Sequence, residues 1–150
     1  MTDDRSAISD LVYTYAERID LGDFDGLADL FTHAVVSGGE DFVRKGRDEV
    51  LAMYVEGTRR YEDNGTPHTK HVTTNLMVDV DEEAGTATAR SYFTVLQALP
   101  DSLALQPIIA GRYHDRFEKV DGAWRFTERR MLVDLVGDLS QHLLFEYPPR

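Results

Sequence analysis

The run Ile108-Ile-Ala-Gly-Arg-Tyr-His-Asp-Arg-Phe-Glu-Lys-Val120, the pair Asp121-Gly122 and the run Ala123-Trp-Arg-Phe-Thr-Glu-Arg-Arg-Met131 decide the fold. Both runs favour extended backbone, and Asp-Gly between them supplies the positive φ angles that a two-residue hairpin requires. The spacing predicts two long antiparallel strands, 108–120 and 123–134. Upstream, 68–80 and 86–98 have the same character and flank a polar reversal at 81–85, so four long strands are expected in succession. The segment 99–107, with two prolines, reads as a longer loop.

Before residue 68 the periodicity is helical. Ile8, Leu11, Val12, Tyr15, Ala16 and Ile19 predict an amphipathic helix over 4–20, which Gly22 ends. Asp23 is placed to cap a short helix carrying Phe24, Leu27, Leu30 and Phe31. A weak strand over 34–37 precedes Gly38-Gly39, and Phe42 and Val43 add another. Gly46 and Asp48 open a third helix through Val50, Leu51, Tyr54 and Val55, while 138–145 reads as a final short helix. Helices gathered early and strands late describe an α+β protein, its mostly antiparallel sheet covered on one face by helices. No repeat or linker divides it, so 1–150 is expected to form one domain.

A net charge of −11 disfavours nucleic acid and anionic membranes as partners, because both call for a basic surface. Cysteine is absent, which excludes disulfides, a thiolate nucleophile, iron–sulfur clusters and Cys-ligated zinc. No apolar run approaches the ~20 residues of a membrane span, and the N-terminus lacks the apolar core of a signal peptide. A soluble cytoplasmic protein is expected. Among the histidines, His33, His68, His71, His114 and His142, the closest pair stands three apart, which puts His68 and His71 on opposite strand faces. Asp23-Phe-Asp25 reads as a helix cap. No metal and no cofactor are expected.

The candidate chemistry joins Tyr15-Ala-Glu-Arg-Ile-Asp20 to His71-Val-Thr-Thr-Asn-Leu76. An imidazole bonded to a carboxylate is held in one tautomer and made more basic, as proton abstraction near neutral pH demands. Asp20 stands at the negative end of a helix dipole, which is unfavourable by roughly 0.3–1 kcal/mol unless a cation compensates. It is either matched by His71 or part of the solvated turn 20–25. Strand alternation puts His71, Thr73, Asn75 and Met77 on one face and Val72, Thr74, Leu76, Val78 and Val80 on the other. The polar row either walls a pocket or faces water. Tyr15, inside the apolar helical stripe, needs a partner for its hydroxyl. Arg112, His114 and Arg116 share another face, a pocket wall or an exposed subunit surface. Phe31, Tyr54, Tyr92 and Met131 are candidate apolar contacts for a small ligand, with plain core as the alternative for each.

The runs 15–27, 71–76 and 111–124, together with Ala87-Thr-Ala-Arg-Ser-Tyr92, resemble in order and spacing the SnoaL-like branch of the nuclear transport factor two-like superfamily. The resemblance implies a cone-shaped barrel: a curved sheet wrapped around N-terminal helices with an enclosed pocket. It also implies likeness to scytalone dehydratase, bile acid dehydratase and hexachlorocyclohexane dehydrochlorinase, which are cofactor-free lyases acting on small hydrophobic rings. By position, Asp20 and His71 match their shared dyad, Tyr15 the tyrosine of the bile acid enzymes, and Arg129 a pocket arginine of the dehydrochlorinase. Arg130 points the other way on a regular strand, leaving one of the two arginines external. The chain departs from scytalone dehydratase at 108–113, where that enzyme has a second histidine, and Val95 stands where the bile acid enzymes carry another acid. A homo-oligomer, dimer or trimer, is implied, its sheet face of Val72, Leu76, Val78 and Val80 needing cover.

Two functional classes follow. One is a lyase in which His71 abstracts a carbon-bound proton, Asp20 stabilises the imidazolium and Tyr15 or Arg129 stabilises developing negative charge; the same base could serve a ketosteroid-isomerase-like isomerase. The other is a non-catalytic ligand-binding or accessory subunit resembling the beta subunits of ring-hydroxylating dioxygenases.

Overall fold

The computed structural model describes residues 3–39 and 41–147. The chain runs α1 (Asp4–Asp20), α2 (Phe24–Asp29), β1 (Val35–Gly38), β2 (Phe42–Lys45), α3 (Gly46–Gly57), β3 (Thr69–Asp81), β4 (Thr86–Leu99), β5 (Leu103–Val120) and β6 (Ala123–Val136). Asp3 caps α1 by accepting a 2.8 Å hydrogen bond from the Ser6 backbone N–H, satisfying a donor that has no partner within the helix. Ile8, Val12, Tyr15 and Ile19 form its buried stripe. Full burial of Ile8 and Val12 stabilises the packing by roughly 2 kcal/mol each. Gly22 takes a positive φ after the helix and lies so close to the Gly65 carbonyl that any side chain would collide with it.

The six strands lie in the order β2-β1-β6-β5-β4-β3. Every neighbouring pair is antiparallel except β1 with β6, so the sheet is mixed; it curves around the helices without closing. Asp121 and Gly122, with φ of 51° and 81°, make the hairpin turn, and Val120 pairs with Ala123.

Three expectations are corrected. First, β5 begins at Leu103, leaving a short turn in place of the longer loop expected over 99–107. Pro107 sits at a register break, a position that tolerates a residue without an N–H. Second, 138–145 contains no helix. That segment is a turn bound to the end of α3: Thr58 bridges to Leu143, the Arg59 N–H donates to the His142 carbonyl at 2.8 Å, and the Leu144 N–H donates to that of Gly57 at 3.0 Å.

Third, the alternation of β3 breaks halfway. Thr74 pairs with Tyr92 but Met77 with Arg90, so β3 carries one extra residue there, and Asn75 adopts a φ of 55°. Asparagine tolerates that left-handed conformation better than a β-branched residue. The bulge inverts the phase: Thr69, His71 and Thr73 point inward before it, and Leu76, Val78 and Val80 after it. Asn75 and Met77 leave the face they were expected to share with His71, while Val78 is buried in the core instead of needing external cover. Among the described residues no helix is long and apolar enough to cross a membrane.

Candidate active site

Asp20 closes the buried stripe of α1, where its carboxylate meets the opening of β3. The His71 Nδ1 lies 2.7 Å from Asp20 Oδ1, the His71 backbone N–H donates to Oδ2 at 2.8 Å, and the Thr69 hydroxyl donates to Oδ1 at 2.8 Å. A carboxylate can only accept, so Nδ1 carries the proton, and in the neutral ring Nε2 keeps its lone pair. Burial pushes the Asp20 carboxyl up, but the bonds and charge from His71, aided by Thr69, outweigh it and hold the pKa below the ordinary value. Both side chains are nearly enclosed, 6% exposed for His71 and 10% for Asp20.

Next to this pair, the Tyr15 and Tyr54 hydroxyls stand 2.5 Å apart, and the Tyr15 ring meets His71 edge-on at 6.2 Å between centroids. Burial raises the pKa of Tyr15, and of Tyr54 and Tyr113 still further, so all three are neutral phenols able to donate. The Arg129 guanidinium lies 4.4 Å from the Tyr15 ring centroid and 3.7 Å from that of Tyr113. Its Nε and Nη2 donate to Asp115 at 2.8 and 2.9 Å. Burial opposes the Arg129 charge, yet the paired carboxylate keeps its pKa above the ordinary value.

These groups adjoin a cavity of about 460 Å³ with a mostly apolar wall. Tyr15, Tyr54, His71 and Met131 border it, with Asp20 immediately behind His71. Asp20 and His71 also border a second groove, beside Glu17 and Lys70.

Five expected contacts lie elsewhere. Phe31 is fully buried in the core, its ring 4.9 Å from that of Phe126. Asn75 is outside because of the bulge. Tyr92 is half exposed on the outer face, since its neighbour Phe93 takes the inward position. Arg112 is likewise outward, between inward-facing Gly111 and Tyr113, and pairs with Asp134 at 2.9 and 3.0 Å. Arg129 is completely buried beneath the tyrosines and does not border the cavity, while Arg130 is the external member of that pair.

Sequence reasoning missed His142 as a wall residue. It arrives from the turn after β6, is 6% exposed, and stands 6.4 Å from the His71 ring between centroids. Its Nδ1 is buried without a hydrogen-bond partner. Burial, reinforced by the charge of His71 and only partly opposed by Asp20, lowers its pKa to about 4, so it is neutral at physiological pH. No strand or helix periodicity marks such a residue. Among the described residues no three His, Asp or Glu side chains gather as a metal-sized group.

Residues 1–130 match the SnoaL-like domain. The chain belongs to the SnoaL-like family. No curated protein matches it. Among solved structures, this SnoaL-like chain is similar to a candidate scytalone dehydratase from Novosphingobium aromaticivorans DSM 12444, at 26% identity and a TM-score of 0.68 over 88% of this chain and 85% of that one. A Mycobacterium tuberculosis protein of unknown function, Rv3472, solved as a point variant, is 27% identical, with a TM-score of 0.69 over 87% and 71%. Hexachlorocyclohexane dehydrochlorinase LinA type 2 shares the fold at 22% identity, with a TM-score of 0.69 over 97% and 93%. These likenesses support an NTF2-like α+β fold of the kind that binds small molecules.

Proposed function

We propose that this SnoaL-like protein is a cofactor-independent lyase acting on a small, largely apolar cyclic molecule. The observation that carries the reading is the 2.7 Å contact between His71 Nδ1 and Asp20, with the same imidazole on the wall of an apolar cavity. With Nδ1 protonated, His71 Nε2 removes a proton from a substrate carbon; the C–H electrons form the new double bond and the leaving group departs from the adjacent carbon with its bonding pair. Asp20 stabilises the imidazolium, and the Tyr15–Tyr54 pair donates toward an oxygen that gains negative charge. The second groove beside Glu17 and Lys70 offers a route by which the proton returns to solvent.

The neutral phenol pair also suits an enolate, which favours isomerisation of a ring ketone as the second reading. Exposed Val72, Met77, Tyr92 and Leu135 suit cover by a second copy of the chain, which sedimentation velocity tests. A panel of cyclic alcohols, halides and ring ketones, followed by chromatography for product, tests the chemistry. Turnover lost in both His71→Ala and Asp20→Asn supports it; turnover kept by either overturns the assignment of the base.

A further inference from the structure

His142 is an imidazole on the cavity wall that the proton transfer above does not use. Its main chain is fixed: the Arg59 N–H binds its carbonyl, and the preceding Gln141 carbonyl accepts from the Gln97 amide at 3.1 Å and from the Tyr61 hydroxyl. The side chain is therefore held over the cavity by a braced turn. A histidine only 6% exposed would ordinarily bond both ring nitrogens within the protein, because an unsatisfied buried polar atom is costly. Here Nδ1 is enclosed by protein without a partner, so Nε2 is the ring nitrogen left to a ligand, and the ring borders the same space as His71 and the Tyr15–Tyr54 pair. Local rule-breaking of this kind is expected at functional sites, where it holds a side chain in place for a ligand.

We propose that His142 is a specificity-determining residue that hydrogen-bonds a hydroxyl or carbonyl oxygen of the bound ring compound. A neutral imidazole both donates and accepts, so it satisfies either group, whereas a chlorinated hydrocarbon would leave its cavity-facing nitrogen unpaired. The substrate class narrows accordingly to oxygenated rings, and elimination of water or rearrangement of a ketone becomes the fitting chemistry over loss of halide. The inference rests on the cavity being the substrate site, as proposed above, but not on His71 acting as a base.

Binding of 2-naphthol, naphthalene and 2-chloronaphthalene, followed by calorimetry and by the ring ¹⁵N shifts of the histidines, tests it without any turnover. Wild-type protein is expected to hold 2-naphthol about tenfold more tightly than the other two, and only 2-naphthol is expected to move the His142 signals. His142→Phe is expected to lose that preference while keeping its affinity for naphthalene, and His142→Gln to retain most of it. Equal binding of the three probes by wild-type protein, His142 signals unmoved by 2-naphthol, or a preference that survives in His142→Phe overturns the proposal. Failure of the lyase reading would show separately, as turnover that survives loss of His71 or Asp20.

Discussion

Asp115 and Arg129 face each other across β5 and β6, joined by two hydrogen bonds of 2.8 and 2.9 Å with neither side chain exposed to solvent. The guanidinium carries the rings of Tyr15 and Tyr113, so an ion pair outside the cavity sets the position of the phenol inside it. Removing one member strands the other charge in the core. Arg129→Met and Asp115→Leu are each expected to destabilise the fold by about 3–5 kcal/mol, and the double variant to recover much of that loss, because desolvating a charge pair offsets most of its attraction. Urea denaturation of the three variants checks this. A pocket arginine used in chemistry would instead leave stability intact in Arg129→Met while abolishing turnover.

His71→Ala removes the proposed base and is expected to lower kcat by at least about a hundredfold. Asp20→Asn is expected to lose activity comparably and also about 1–3 kcal/mol of stability, because the carboxylate accepts three hydrogen bonds that an amide cannot all accept. Steady-state kinetics beside thermal melts separates the two. An Asp20→Asn protein with full kcat and a lowered melting temperature would make the contact purely architectural.

The bulge at Asn75 fixes which residues of β3 face inward on either side of it. Asn75→Gly is expected to be nearly neutral, and Asn75→Val to cost about 1–2 kcal/mol, because a β-branched residue resists a φ of 55°. Chemical denaturation gives the values. Equal stability in the two variants would mean that the strand can restore its regular alternation at no cost.

What could be read from the chain divides along the same line. The apolar stripe of α1 and the Asp121-Gly122 turn are local signals, and the structure keeps both. Bulges are invisible to alternation because one inserted residue inverts every face beyond it. Asn75 leaves its expected face for that reason. A second shift puts Phe117 opposite Phe126 but Arg116 opposite Glu128, and counting back from the hairpin without it would set Asp115 against Glu128 instead of Arg129. Tyr92 and Arg112 differ in cause: each has an inward neighbour, and polarity alone does not tell which of two adjacent aromatic or charged positions faces the core. His142 lies in a turn held by backbone bonds to distant segments, so only tertiary structure reveals it.

Burial of His142 leads to a pH dependence whose sign is fixed. Its pKa falls from 6.5 to about 4 on folding, so between those values the unfolded chain binds more protons than the folded one. Stability from this group is complete above about pH 6.5 and is lost as the pH drops toward 4, amounting to about 3 kcal/mol. Asp20, also lowered on folding, acts in the same direction but only as the pH falls below its ordinary value of 3.8, so the two windows are distinct. His71, Asp20, Glu56 and the Tyr15, Tyr54 and Tyr113 phenols are titratable groups around the same cavity, and the three phenols stay neutral throughout this range. His142→Phe is expected to match or exceed wild-type stability at pH 7, since it removes an unsatisfied buried nitrogen, and to exceed it increasingly toward pH 4. Urea midpoints at half-unit steps from pH 7 to 4 measure the difference. Parallel curves for the two proteins would mean that His142 is protonated as readily in the fold as in water, and the braced turn would then be open to solvent.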